Sequence, residues 1–191
     1  MLTFSVLLVL LAVATYTDVR GQHIYNWTTY PGMALGLLLN GLGTLALKLQ
    51  LVDESLLREL GWIGLGAGLS GWLICGLIMV VCFVFFPIGG GDVKLIAMIG
   101  AFMGPERGIE AMLWAFVLGA CLALIVLVWR VGAWRLVRQV VRHVFWSLRL
   151  GRFDRLTDEE RAMLQPPLFL APTALAGVVI VHWRLDAWLI G

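Results

Sequence analysis

Charge is scarce in this chain. Only 14% of its 191 residues are Asp, Glu, Lys or Arg, against about a quarter in soluble domains, and that shortage excludes an ordinary soluble protein. Net charge is only +2, so no nucleic-acid partner is expected. Cysteine is equally sparse. Cys75, Cys82 and Cys121 lie inside apolar runs with no C-x-x-C spacing, and read as small buried hydrophobes, not as a zinc site or a disulfide framework. His23, His143 and His182 are scattered, no metal site is supported by spacing, and no cofactor is expected. No G-x-x-x-x-G-K-[ST] run occurs, which removes the P-loop reading of the one glycine-rich turn. No Lys or Arg precedes the first apolar run, Met1 to Tyr16, although Ala12-Val13-Ala14 resembles a signal-peptide cleavage site. Without a positive n-region the run reads as a retained spanning helix.

What the chain does have is apolar sequence: 61% of its residues are hydrophobic, with 22 Gly, nine Trp and nine Phe. Glycine is commoner in spanning helices than in soluble ones, and aromatic rings favour the membrane interface. A bilayer core about 30 Å thick needs about 20 apolar residues of helix. Six runs emerge, near residues 2–17, 27–47, 61–88, 93–104, 109–129 and 168–190. The expected fold is therefore all-α, a polytopic membrane bundle of about six transmembrane helices forming one domain over 1–191. The fourth run rises only about 18 Å, so it must be tilted, or buried by its neighbours where the bilayer thins.

If all six cross, one side carries Arg20, Lys94, Arg130, Arg135, Arg138, Arg142, Arg149, Arg152, Arg155 and Arg161, and the other Lys48, Arg58, Arg107 and Arg184. The positive-inside rule makes the first side cytoplasmic and places Asp18 and Asp92 together there. Within the basic cytoplasmic loop, 130–167, Arg135, Arg138, Arg142 and Arg149 share a helical arc beside Trp134, Val137, Val141, Val144, Phe145 and Leu148. That pattern suits a membrane-surface helix pairing with anionic lipid. It suits equally a plain extension of the fifth helix.

Two polar connections carry the chemistry-bearing residues. In Phe86-Pro87-Ile88-Gly89-Gly90-Gly91-Asp92-Val93-Lys94-Leu95, one helix ends at Pro and Gly and the next begins. Gly89, Gly90 and Gly91 let the backbone turn and let another chain approach. Asp92, taken alone, reads equally well as a helix cap. In Tyr16-Thr17-Asp18-Val19-Arg20-Gly21-Gln22-His23-Ile24-Tyr25-Asn26, Asp18 taken alone reads as an interfacial charge ending a helix, paired with Arg20. Two membrane-boundary carboxylates on one face shift the balance, because such groups are costly there and mark function. Brought close they share a proton, so the pair can deprotonate a water while protonating a peptide carbonyl.

Asp18 with Ile24-Tyr25-Asn26, and Gly89-Gly90-Gly91-Asp92-Val93-Lys94-Leu95, resemble the two signature segments of prepilin peptidases, within the wider GxGD group of membrane aspartyl proteases. Pro167-Leu168-Phe169-Leu170-Ala171-Pro172 with Gly177 is similar to a third. The resemblance implies that Asp18 and Asp92 are the catalytic carboxylates, supported by Gly89, Gly90, Gly91, Lys94 and Asn26. It implies a type IV prepilin or pseudopilin substrate, cut at the cytoplasmic face of the bacterial inner membrane after a short basic leader. Membrane lipids and the pilus or secretion machinery are the other partners it implies. Tyr25 departs from the family, which usually has proline there. An N-terminal insertion with paired C-x-x-C motifs, which accompanies methylation in larger relatives, is absent, so the short form looks more like the peptidase of tight-adherence (Flp) pilus systems. Two other classes fit the bare residues: a small transporter or channel subunit binding cations or protons at the aspartates, and a non-catalytic assembly factor whose glycines serve helix packing.

Overall fold

The computed structural model describes residues 1–21, 24–86, 88–131 and 170–185. The basic 130–167 loop expected from sequence, but for its first two residues, lies outside that set, as do Pro87, His23, His143, the 167–169 part of the third segment and the end of the sixth run.

Among the described residues six helices form and there is no strand. They are α1 (Leu2–Gly21), α2 (Asn26–Lys48), α3 (Glu54–Glu59), α4 (Leu65–Phe85), α5 (Gly90–Val131) and α6 (Leu170–Trp183). α1, α2, α4 and α5 are long and apolar enough to cross a membrane, and α6 is a shorter apolar helix. The molecule is a helical membrane bundle, as expected. Two bounds and one added helix differ from the sequence reading. α1 runs past Asp18 to Gly21, α4 starts at Leu65 after a connection, and the one-and-a-half-turn α3 was not anticipated.

The expected fourth and fifth runs share α5, which is broken at Gly104 (φ 81°, ψ 179°) just before Pro105. A positive φ is open to glycine and costly for other residues, and Pro105 has no N–H to continue the ladder. The break reverses the chain. In an uninterrupted helix residues 100 and 108 would lie about 12 Å apart along the axis, yet a Cβ on Gly108 would stand 3.1 Å from the Gly100 Cα. α5 is thus a helical hairpin with a first arm, 90–103, and a second arm beginning at 105.

The first arm is the centre of the bundle. Leu95, Ile96, Ala97, Met98, Ile99, Ala101 and Phe102 are all buried, on every side of the helix. Its short length is tolerable because neighbouring helices, not lipid, surround it. Those neighbours approach through small residues: Gly32 meets Met98, Gly36 meets the Phe102 ring, and Gly71 meets the backbone at Gly100 and Gly104. On the second arm, Ala111 and Ala115 receive Gly177 of α6.

The large side chains do the opposite. Leu35, Leu38, Leu42 and Leu45 of α2, and Leu69, Leu73, Leu77 and Val84 of α4, are exposed. Small residues inside and leucines outside is the arrangement expected where lipid is as apolar as leucine and close van der Waals approach drives association.

The chain groups into two units, Met1–Leu118 with Phe169–Gly191, and Gly119–Leu168. Of the second, only the helical stretch to Val131 is described.

Candidate active site

Both aspartates are placed by helix termini. Asp18 lies in the last turn of α1 on the face formed by Leu7, Leu11 and Ala14, and is 6% exposed. That three-and-four spacing turns it inward with the core residues. Its Oδ2 accepts the Ala171 N–H at 3.2 Å. Ala171 stands in the first turn of α6, where N–H groups lack intrahelical acceptors and the dipole's positive end favours a negative group. A carboxylate on the first spanning helix therefore caps the last of the described helices.

Asp92 is the third residue of α5. Its N–H donates to the Gly89 carbonyl at 3.0 Å, and its Oδ2 accepts the Gly89 N–H at 3.3 Å. This is the reach-back of a capping box, an acid in the first turn satisfying a free donor before the helix. Among the described contacts, capping engages one oxygen of each carboxylate. The connection after α1 and the start of α5 touch at Ile24–Gly91 and at Asn26–Lys94, so Asp18 and Asp92 lie at the same end of the bundle.

The remaining support residues separate into two groups. Lys94 Nζ donates to Asn26 Oδ1 at 2.7 Å and stands 4.8 Å from the centre of the Tyr30 ring. Gly91 lies under Ile24, where a Cβ would come within 2.9 Å of the Ile24 Cβ. The connection after α1 is therefore laid across the start of α5, held by the Lys94–Asn26 bond and by close packing at Gly91. Gly89 contributes its N–H. Gly90, by contrast, meets nothing within 4 Å of a Cβ position. The Asp18–Arg20 pairing suggested by sequence does not occur among the described contacts: the Arg20 guanidinium lies 4.8 Å over the Tyr16 ring.

Sequence reasoning missed Tyr30 and the Ala171 N–H. An exposed tyrosine one turn into α2, four residues beyond Asn26, is the only local signal for the first. Pro172 directly after Ala171 is a helix-start signal for the second. Nothing in either sequence neighbourhood names the partner. The three cysteines are free and differ in burial: Cys75 is buried, Cys82 partly so, and Cys121 exposed. Among the described residues no group of three or more His, Cys, Asp or Glu is placed to hold a metal.

The profile of the type IV leader peptidase family matches residues 5–124, a span that holds both aspartates, the glycine turn, Asn26 and Lys94. No curated protein matches, and no solved structure matches.

Proposed function

Because the chain belongs to the type IV leader peptidase family, and is a protease built as a multi-pass membrane bundle, we propose that it is an aspartic endopeptidase whose catalytic pair is Asp18 and Asp92. The substrate is a type IV prepilin or pseudopilin, cut where its short leader leaves the inner membrane on the cytoplasmic side. The observation that supports this reading is that both aspartates lie at one end of the bundle, each engaged on one oxygen by a backbone N–H.

In the reaction one aspartate is ionised and takes a proton from water as its oxygen adds to the scissile carbonyl carbon. The other, protonated, donates to the carbonyl oxygen, giving a neutral gem-diol. Collapse breaks the C–N bond while a proton passes to the leaving amine and the pair regains its single shared proton. A helical substrate hides its amides in intrahelical bonds, so the segment at the site must be unwound. Gly89 and Gly90 suit that need: both are exposed, and neither adds a side chain between the substrate strand and Asp92. The basic face of the 130–167 loop supports a cytoplasmic aspartate end and contact with anionic lipid. Residues 1–191 act as one peptidase domain, of the kind serving tight-adherence pili.

The test is co-expression with prepilin precursors from the same genome, scoring the leader-removal shift on a gel for wild type, Asp18→Asn and Asp92→Asn. Wild type is expected to cleave, and each variant to accumulate in the membrane without cleaving. Normal cleavage by both variants would reduce the aspartates to helix caps and end this reading.

A further inference from the structure

The end of the bundle away from the aspartates holds a small cavity of about 60 Å³ that proteolysis does not use. The start of α1, the connection before α4, the turn of the α5 hairpin and the end of α6 meet around it. Leu7, Ile63 and Phe102 give it an apolar wall, while Thr3, Arg107 and His182 bring polar groups. Thr3 is settled, because its hydroxyl donates to the Leu60 and Gly61 carbonyls at 3.0 and 2.9 Å. Arg107 and His182 are not. Among the described residues neither has a hydrogen-bond or ion-pair partner, and the ion pair found there, Arg58–Glu54, belongs to α3. Glu106 and Glu110, the acids closest to Arg107 in sequence, are exposed and stand outside the cavity lining.

An exposed arginine at a membrane boundary can simply reach water along its stem, and Arg107 is exposed. The His182 ring has no such freedom. It is half-buried and lies flat on Phe4, with 3.4 Å between ring centres and 8° between planes. Trp183 stands edge-on to both, at 6.5 and 6.4 Å. Held in that stack, the imidazole keeps at least one N–H donor in either charge state, and the guanidinium on the same cavity has five donors and no acceptor. Donors and positive charge without a carboxylate fit an anion and repel a cation. The cavity admits one small group. It lies beside a stack whose Trp183 is 62% exposed, as tryptophans at the membrane interface are. The anion abundant at that depth is the lipid phosphate, and a guanidinium fork matches phosphate oxygens two at a time.

We propose that this cavity is a lipid-phosphate site, in which Arg107 and His182 hold the headgroup phosphate of an anionic phospholipid from the leaflet at that end. A zwitterionic headgroup fits less well, since it would carry its own ammonium group up to Arg107. Bound there, the lipid ties the start of α1 and the hairpin turn to the end of α6, the helix whose other end supplies the Ala171 N–H to Asp18. The site stands apart from the aspartates and does not depend on what they do.

The experiment is thermal unfolding of the full chain in micelles of an uncharged detergent, titrated with phosphatidylglycerol, with phosphatidylcholine, or with inorganic phosphate at matched ionic strength. The wild-type midpoint is expected to rise to a plateau with phosphatidylglycerol, as mass action requires of a ligand that binds the folded state, and to stay put with the other two. Arg107→Gln is expected to raise the phosphatidylglycerol concentration needed for half the effect roughly ten-fold or more, the loss of one charge-assisted partner. His182→Leu is expected to raise it several-fold, and gives a second reading on a different helix. Arg107→Lys keeps the charge and should retain most of the response. Lys48→Gln, a basic residue at the same end but outside the cavity lining, should leave it unchanged. The arginines between residues 130 and 167 also attract anionic lipid, but they are the same in every variant and cannot produce a difference between them. A full wild-type response in both Arg107→Gln and His182→Leu overturns the site. Equal stabilisation by phosphatidylcholine or by inorganic phosphate overturns the anionic lipid as its occupant. No cleavage is measured, so the result is separate from the fate of the aspartyl reading.

Discussion

Asn26 and Asn40 sit near opposite ends of α2 and are put to different uses. Asn40 is 1% exposed. Its Nδ2 donates to the Gly36 and Ala101 carbonyls at 3.0 and 3.1 Å, and its Oδ1 accepts the Ile63 N–H at 3.2 Å. Its own carbonyl accepts from Trp62 Nε1 and Thr44 Oγ1, and Thr44 Oγ1 in turn accepts the Leu65 N–H that opens α4. One amide thus ties α2, the approach to α4 and the first arm of α5. At the same end, Thr3 donates to the Leu60 and Gly61 carbonyls, and the Met1 amino group bonds the Glu59 carbonyl. Asn26 is exposed and, among the described residues, holds Lys94. The end away from the aspartates is locked by a buried network, and the aspartate end is fastened by the single buried Ala171–Asp18 bond and a few bonds near the surface. A protease that must admit an unwound strand has reason to be built this way round: the fixed end sets helix positions, and the lightly held end lets a chain in.

Asn40→Leu is expected to have the largest effect on that contrast. It leaves the Ile63 N–H and the Ala101 carbonyl unpaired in the interior, costing about 1–3 kcal/mol for each group that stays unsatisfied. A fall of several degrees in the unfolding midpoint in detergent checks it. An unchanged midpoint would mean that the locked end is not locked by this amide.

Lys94→Met should do the reverse, acting on activity more than on stability. It removes the bond to Asn26 and the contact with Tyr30, and an exposed interaction of this kind is worth about 1 kcal/mol, or roughly five-fold in rate if it positions the site. Cleavage is expected to fall by about that factor with little change in unfolding. Lys94→Arg, which keeps the charge over the ring, should recover most of the rate. A large stability loss in Lys94→Met would erase the distinction between the two ends.

The smallest effect belongs to Arg58→Ala. Arg58 pairs with Glu54 at 2.6 Å on the surface of α3 with both side chains well exposed, and such pairs are worth about 0.5 kcal/mol or less. Both unfolding and cleavage should stay at wild-type levels. A measurable loss would show that α3 does more than bridge α2 and α4.

How much of this was legible in sequence depends on whether the signal was local. Helix existence was, because apolar length alone sets it, and so was the turn at Gly104–Pro105, where the fourth and fifth runs part. The turn holding Asp92 was legible too, since glycines before an acid announce a helix start. Partnerships were not. The bond from Ala171 to Asp18 joins opposite ends of the chain, and Lys94 reaches Tyr30 from another helix. Burial was hidden for a different reason. The inward faces of α2 and α4 carry Gly32, Gly36, Gly43, Gly68 and Gly71, while leucines cover both sides, so hydropathy has no period that distinguishes core from lipid. Asn40, a polar residue amid leucines, lies on the inner face of α2, as do Thr28 and Thr29.

The hairpin at Gly104 bears on how the protein enters its membrane. The first arm is about 21 Å long at 1.5 Å per residue, short of the 30 Å a lone span needs, and it opens with Asp92 and Lys94. Released from the translocation machinery alone, it would be poorly retained by lipid. With the second arm folded against it at Gly100 and Gly108, the two go in as one unit, and the later, longer arm supplies the hydrophobicity that the earlier one lacks. The helix bearing Asp92 thus depends for its hold on the bilayer on residues that follow it in the chain, as the buried Asp18 carboxylate depends for its N–H partner on α6.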